Sequence, residues 1–249
     1  YNIAVAMGAA KPLNHPLVNA LDYHGADGLG QCDLPPPRLP LHSAKSWDFI
    51  AQLVSDAPGE ITLVTTGPLT NVAYAFKHHP ELAKSLARLI FMGGAYGLTP
   101  YGKGNQTPFA EFNIWQDPEA ARIVLNSGIN IYAVGLDVST NPTTCLNSKH
   151  LEQLKAGHTP AARLAAQLAE YVMKRQGHCE IHDPLALAIL LDASLFDFTS
   201  VPVKVVTGDG WDRGITRILP SDSSQLIHVA SSLDGARFLK LFLSRILEE

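Results

Sequence analysis

The sequence is poor in cysteine and in charged residues. Its three cysteines, Cys32, Cys145 and Cys179, lie far apart, which excludes a disulfide framework and a Cys-x-x-Cys zinc site and favours a reducing, cytoplasmic environment. Charged residues make up 17% of the 249 residues and hydrophobic residues 46%, so much of the chain must be buried. This composition favours one large α/β domain over two small ones.

Long runs of one residue character are also missing. The longest basic run is Lys174-Arg175 and the net charge is −4, which argues against a nucleic-acid partner. No apolar run approaches the roughly 20 residues that a membrane-spanning helix needs, so we expect no membrane partner. The chain begins at Tyr1-Asn2-Ile3, without methionine or a signal peptide. We therefore expect residues 1–249 to be a single domain that is incomplete at its N-terminus.

Short apolar runs alternate with amphipathic segments, as in βα units around a parallel sheet. Helices are predicted to begin at Asp117-Pro118, Thr159-Pro160 and Asp183-Pro184, where a capping side chain precedes a proline. Further helices are predicted over 44–55, capped by Ser43, and over 235–247. Strands are predicted over 3–6, 61–64, 89–92, 129–134, 203–206, 215–219 and 226–230. We expect an open, mainly parallel sheet flanked by helices.

Polar and glycine clusters follow three predicted strands. They are Thr66-Gly67, Met92-Gly93-Gly94 and Gly135-Leu136-Asp137. Each could simply make a tight turn. Because ligands bind at the carboxyl edge of an open parallel sheet, three such clusters together favour a binding site there.

Two further motifs carry polar side chains suited to chemistry. Asn105, Glu111 and Asn113 lie in one predicted loop, where two amides and a carboxylate match the vicinal hydroxyls of a polyol such as ribose, although a loop asparagine is also a common turn former. Asp183 either caps a helix or binds a hard cation. His182 beside it is placed to reach a leaving group.

Several motifs, taken together, resemble one known family. They are Thr66-Gly67-Pro68-Leu69-Thr70-Asn71, Met92-Gly93-Gly94, Ala110-Glu111-Phe112-Asn113 with Asp117-Pro118-Glu119-Ala120-Ala121, Gly135-Leu136-Asp137-Val138, His182-Asp183-Pro184 and His24-Gly25-Ala26-Asp27-Gly28-Leu29-Gly30. In order and spacing they resemble the inosine-uridine preferring nucleoside hydrolases. The resemblance implies a Rossmann-like nucleoside hydrolase fold, a dimer or tetramer, and hydrolysis of ribonucleosides to ribose and base by a Ca²⁺-bound water through an oxocarbenium-like transition state.

The resemblance also implies roles for single residues. Asp183 resembles a calcium ligand that also meets the substrate, and Thr66 the residue whose backbone carbonyl binds the same ion. Asn113 resembles the amide that holds the lower ribose hydroxyls, and Asn105 and Glu111 the pair that holds the 5′-hydroxyl.

Three other residues resemble those around the ribose and the base. Met92 resembles a wall under the ribose, His182 the proton donor near the leaving base, and His24 part of a mobile loop over the base. These roles agree with the chemistry, since calcium takes six to eight oxygen ligands and a departing base needs an acid.

One family motif has no counterpart in the sequence. The family's early Asp-x-Asp-x-Gly-x-Asp-Asp cluster supplies most carboxylate ligands, and Asp27, Asp33 and Asp137 lack its spacing. We therefore expect weak or no calcium binding and little or no activity from this chain alone. The alternative is a non-catalytic sugar-binding or dimerising remnant of the family. A dinucleotide-binding domain is disfavoured because Gly-x-Gly-x-x-Gly is missing.

Overall fold

A computed structural model describes residues 3–32, 34–220 and 225–248. Tyr1, Asn2 and Asp33 lie outside these ranges. The strands are β1 (Val5–Met7), β2 (Leu41–Lys45), β3 (Thr62–Thr65), β4 (Arg88–Met92), β5 (Ile131–Val134), β6 (Phe196–Val205), β7 (Thr216–Ile218) and β8 (Leu226–Leu233). The helices are α1 (Leu21–His24), α2 (Ser46–Asp56), α3 (Thr70–His78), α4 (Leu82–Ser85), α5 (Phe112–Gln116), α6 (Pro118–Leu125), α7 (Leu136–Ser139), α8 (Ser148–Ala156), α9 (Pro160–Gln176), α10 (His182–Leu191) and α11 (Gly235–Leu247).

The central sheet has the strand order β3-β4-β5-β8-β6-β7. Strands β3, β4, β5 and β8 are parallel, whereas β6 runs antiparallel to both β8 and β7. The prediction of an open, mainly parallel sheet with flanking helices is therefore confirmed. The antiparallel pairings lie on the side of the sheet that contains β6 and β7.

The sheet is buried on both faces, and the alternation within β4 shows how. Leu89 and Phe91 enter a core with α2, α3 and α6, while Ile90 and Met92 enter a second core with α8, α9, α10 and α11. Side chains of a strand alternate between its faces, so a continuous apolar run fits a strand covered on both sides. The same alternation directs Met92 towards α10.

The N-terminal region differs from the prediction in two respects. Strand β1 begins two residues later than predicted and pairs in parallel with β2, in a small sheet separate from the central one. Ser43, predicted to cap a helix, lies inside β2, and α2 begins at Ser46 without a side-chain cap. At this point the pairing of β2 with β1 outweighed the local capping pattern of Ser43.

A buried carboxylate joins three segments near the sheet. Asp117 is fully buried and caps α6 by accepting from the amide N of Ala120 at 3.1 Å. Its other oxygen accepts from the Thr70 hydroxyl at 2.6 Å and from the amide N of Leu13 at 2.9 Å. The predicted helix start is confirmed, and its cap also holds α3 and the N-terminal segment.

We predict that Asp117→Ala lowers the free energy of unfolding by about 3 kcal/mol, because it leaves buried donors without an acceptor and removes a cap. Asp234→Ala is the matched control. Asp234 caps α11 through one exposed bond, from the amide N of Arg237, and its loss should cost about 1 kcal/mol. Urea unfolding of both variants measures the difference, and equal losses would contradict the prediction.

Candidate active site

The three clusters predicted from the sequence meet at one edge of the sheet. Thr65 pairs with Phe91, so Thr66 and Met92 follow neighbouring positions of β3 and β4. The amide N of Gly93 donates to the carbonyl of Val134 at 3.0 Å, which brings the ends of β4 and β5 together. This edge is the carboxyl edge of the parallel strands, where ligands bind in open α/β sheets.

Glu111 anchors the helix that enters this edge. Its side chain is 2% exposed and caps α5, with one oxygen accepting from Asn113 N at 2.8 Å and the other from Ile114 N at 3.1 Å and Gly94 N at 3.0 Å. Burial raises the pKa of the Glu111 carboxyl, while these donors and the nearby His182 act in the opposite direction. The carboxylate thus ties α5 to the turn after β4.

Asn113 and Asn105 flank Glu111. The Asn113 amide nitrogen donates to the Met92 carbonyl at 3.2 Å and lies 3.3 Å from the Met92 sulfur. The Asn105 carbonyl oxygen accepts from Phe112 N at 2.8 Å, which leaves its amide NH2 for another partner. Met92 is almost fully buried, so little of it is open to a ligand. The polyol-binding residues predicted from the sequence therefore lie in one neighbourhood.

His182 is held at the same edge by two groups. Its Nδ1 lies 2.8 Å from the hydroxyl of Ser139, the last residue of α7, and its Nε2 lies 3.5 Å from Glu180. The close contact with His182 is the main cause that lowers the pKa of Glu180. The histidine therefore sits beside a carboxylate that is ionised at neutral pH.

Asp183 lies in the first turn of α10, where a negative charge is favourable. Helix α10 begins at His182 with Ile181 as its N-cap, so the alternative that Asp183 is only the cap is wrong. The Asp183 side chain stays open to solvent, but surrounding protein atoms still raise its pKa by desolvation, opposed by His182 and His24.

The loop that carries His24 closes against α9. A side chain at Gly30 would meet Leu168 and Tyr171 within 3.4 Å, and one at Gly25 would meet the Tyr171 hydroxyl at 3.2 Å. Tyr171 thus packs against this loop. Burial, and secondly the charge of Glu180, raise the pKa of the neighbouring Tyr23. The loop therefore reaches the surroundings of Glu180 and Asp183.

Two other carboxylates considered as metal ligands have structural roles. Asp137 is buried and accepts from Tyr96 N at 2.8 Å and Leu98 N at 2.6 Å, which holds the turn after β4. Asp27 accepts from the amides of Leu29 and Gln31 within its own exposed loop. Asp137 thus uses both of its oxygens to hold backbone amides, whereas Asp27 uses Oδ1 to hold its own loop.

The described residues do not complete a calcium site. In residues 3–32, 34–220 and 225–248, no three His, Cys, Asp or Glu side chains lie close enough to share a metal ion. The resemblance relates Asp183 and the carbonyl of Thr66 to calcium, and two donors fall short of the six to eight oxygens that calcium takes.

Ser139 and Glu180 were not identified from the sequence. His178, Glu180 and His182 alternate in the chain, and the segment is extended because Leu146 and Cys179 exchange backbone hydrogen bonds. Alternation in an extended segment places side chains on one face, so this pattern could have revealed Glu180. Ser139 meets His182 across 43 positions of sequence and gave no local signal.

A cavity of about 400 Å³ opens beside these residues. It is lined by Pro100, Tyr101, Lys103, Gly104, Asn105, Leu136, Thr140 and Glu180. A larger groove of about 1300 Å³ runs between α8 and α11 and contains none of the predicted site residues. Of the predicted site residues, Asn105 lines the smaller cavity, beside Glu180, so this cavity forms one side of the candidate site.

The sequence profile described as inosine-uridine preferring nucleoside hydrolase matches residues 1–240. The chain belongs to this family. It is 37% identical over 222 residues to the pyrimidine-specific ribonucleoside hydrolase RihA of Salmonella arizonae, covering 86% of this chain and 69% of the relative. Against RihA of Shigella boydii serotype 4 the identity is 34% over 255 aligned residues, covering 98% and 80%.

Solved structures of other nucleoside hydrolases share the fold. The plant nucleoside hydrolase PpNRh1 has a TM-score of 0.90 at 30% identity, covering 99% of this chain and 81% of its own. The purine-preferring ribonucleoside hydrolase from Gardnerella vaginalis has a TM-score of 0.88 at 30% identity, covering 98% and 79%. This nucleoside hydrolase therefore belongs to a family of enzymes. In the described part of the chain, no helix is both long and apolar enough to cross a membrane.

We predict that Glu111→Gln lowers the free energy of unfolding of this nucleoside hydrolase even when no substrate is bound. Both carboxylate oxygens accept backbone N–H groups, and an amide would turn one acceptor into a donor, at a cost of about 1.5–3 kcal/mol. Thermal unfolding compares it with Glu170→Gln, an exposed residue paired with Lys155, which should change stability by about 0.5 kcal/mol or less. An unchanged melting temperature for Glu111→Gln would show that Glu111 has no scaffold role.

Proposed function

We propose that this chain hydrolyses the N-glycosidic bond of ribonucleosides and releases ribose and the free base, at a low rate because the Asp-rich cluster that supplies most metal ligands in the family has no counterpart in it. One observation carries the proposal. Asn113, Glu111 and His182, which the resemblance relates to the ribose and the leaving base, lie at the carboxyl edge of the same three strands. Membership of the nucleoside hydrolase family supports the reaction class.

The amides at this edge are suited to hold the ribose. Within the described residues no group donates to the carbonyl oxygen of Asn113, whose nitrogen bonds to Met92, so this oxygen can accept from a sugar hydroxyl. Asn105 offers its amide NH2 as a donor, since its carbonyl oxygen already accepts from Phe112 N. Glu111 already accepts three N–H bonds. It can therefore accept from the 5′-hydroxyl only through a lone pair that these bonds do not use. The substrate is thus fixed before bond cleavage.

His182 is placed to assist the departing base. The bond between C1′ and the base nitrogen breaks, its electron pair goes to the base, and the base takes up a proton from His182. Water then supplies the oxygen that bonds to C1′ and loses its own proton. Positive charge develops on the sugar in between, and the carboxylate of Asp183 stabilises it electrostatically.

Calcium is proposed to bind weakly to this chain, with Asp183 and the Thr66 carbonyl as its ligands and the ribose hydroxyls as further oxygens. When bound, the ion would draw the hydroxyls into position and acidify a water. A dimer or tetramer likewise remains a proposal from the resemblance. Exposed apolar side chains at β1 and β2, with Val5 45% and Leu41 56% exposed, support association.

We predict that the chain releases ribose from uridine or cytidine faster than from inosine, because the RihA relatives at 34–37% identity are named pyrimidine-specific. A reducing-sugar assay with and without chelator measures the rates. Faster release from inosine would contradict the prediction and would agree instead with the purine-preferring relative from Gardnerella vaginalis, which is 30% identical. Ribose binding without turnover would support the alternative, a non-catalytic sugar-binding relative.

We predict that calorimetric titration shows weak calcium binding and that Asp183→Asn abolishes it, since the variant removes the charged ligand and keeps its shape. Asp192→Asn, at the C-terminal end of α10, is the control and should leave the titration unchanged. Tight calcium binding by the wild-type chain would contradict the predicted weakness. Full binding and turnover in Asp183→Asn would show that the metal role assigned to Asp183 is wrong.

A further inference from the structure

The imidazole of His182 is contacted at both ring nitrogens by groups that differ in chemistry. Nδ1 lies 2.8 Å from the hydroxyl of Ser139, a residue that is fully buried. Nε2 lies 3.5 Å from one oxygen of Glu180, whose other oxygen lies 3.9 Å from His178. The side chains of His182 and Glu180 are 16% and 21% exposed, so neither ring nitrogen faces bulk water freely.

These partners decide which nitrogen carries the proton of the neutral ring. An ionised carboxylate can accept a hydrogen bond but cannot donate one, so the nitrogen beside Glu180 is the one that bears hydrogen. Nδ1 must then accept, and the Ser139 hydroxyl can rotate to donate to it. The opposite tautomer would set the Nε2 lone pair against a negative carboxylate. Both contacts therefore favour the same tautomer.

Glu180 orients the Nε2–H bond of His182 but does not accept a full hydrogen bond from it. A separation of 3.5 Å is longer than a normal N–H···O bond, so the contact is mainly electrostatic. Glu180 lines the 400 Å³ cavity together with Asn105, the amide proposed to hold the 5′-hydroxyl. The base and the 5′-carbon of a ribonucleoside lie on the same face of the sugar. An acceptor on the base would therefore approach from the side of this proton.

We propose that Glu180 and Ser139 are positioning residues that fix His182 as the Nε2–H tautomer, with that proton directed to the cavity where the leaving base lies. The role in catalysis rests on the proposed function, whereas the tautomer itself does not. Orientation by partners of this kind is how a histidine is made to present the correct nitrogen. For the transfer itself Nδ1 first takes up a proton from solvent, so the base receives the Nε2 proton from an imidazolium, and the ring is left neutral with a lone pair on Nε2.

The direct test is an NMR measurement of the His182 ring. Long-range ¹H–¹⁵N correlation on ¹⁵N-histidine-labelled protein at one fixed pH reports the tautomer, and loss of the signal in His182→Asn assigns it. We expect the Nε2–H form in the wild type and a mixture of both tautomers in Glu180→Ala and Ser139→Ala. Glu170→Ala, which removes a glutamate paired with Lys155 and Lys174, should match the wild type.

Two results would overturn the inference: an Nδ1–H ring in the wild type, or an unchanged tautomer in Glu180→Ala. Thermal melting verifies that each variant is folded. Should buried Ser139→Ala fail to fold, Glu180→Ala decides alone, because Glu180 sits at the cavity wall and not in the core.

Kinetics then separate this inference from the proposed function. Glu180→Ala should lower turnover of uridine about tenfold or more, but change hydrolysis of p-nitrophenyl ribofuranoside by no more than about twofold, because that leaving group needs no proton. Equal losses on both substrates would remove the positioning role. If the wild type hydrolyses neither substrate, the proposed function fails, while the NMR result still decides the tautomer.

Discussion

The parallel register of β3, β4 and β5 is the constraint on which the site depends. Each strand contributes a turn at its carboxyl end, and the pairing of Thr65 with Phe91 and of Met92 with Val134 brings these turns to one edge. A shift of one residue in β4 would exchange its two faces, moving Met92 from the α10 side to the α3 side. The burial of both faces makes such a shift costly, so packing of the core also fixes the geometry of the edge.

Carboxylates near this edge fall into two groups with different physical states. Glu111, Asp117 and Asp137 are buried, and each accepts two or more hydrogen bonds that hold separate segments together. Glu180 and Asp183 remain in contact with solvent or with a histidine. The first group positions the backbone of the site because a buried charge requires several donors. The second group keeps its oxygens available for a substrate or an ion.

His182 connects these groups through its neighbours. A positive charge on the His182 ring would favour the ionised forms of Glu111, Glu180 and Asp183, and the ring contacts Ser139 at the end of α7. A change at any one of these residues therefore alters the electrostatic surroundings of the others. The arrangement concentrates titratable groups in a small region, as enzyme active sites commonly do.

The sequence by itself determined the fold class, the family and the neighbourhood of the site. Apolar runs that alternate with amphipathic segments require a covered parallel sheet, and Asp117-Pro118 and 235–247 carry local signals strong enough to define helices within a residue. Local signals failed where a distant partner decided the structure. Ser43 joined β2 because β1 offered backbone hydrogen bonds, and Asp183 fell inside α10 instead of capping it.

Tertiary structure alone decided which polar residues act together. Ser139 meets His182, and Asp117 binds Thr70 and Leu13, across separations of 43 to 104 residues. Such pairs leave no periodic pattern in the sequence, because their distance is set by how helices pack on the sheet. Glu111 shows the same division: its loop was recognised as polar, but only the folded chain revealed that its carboxylate is buried and shared among three amides.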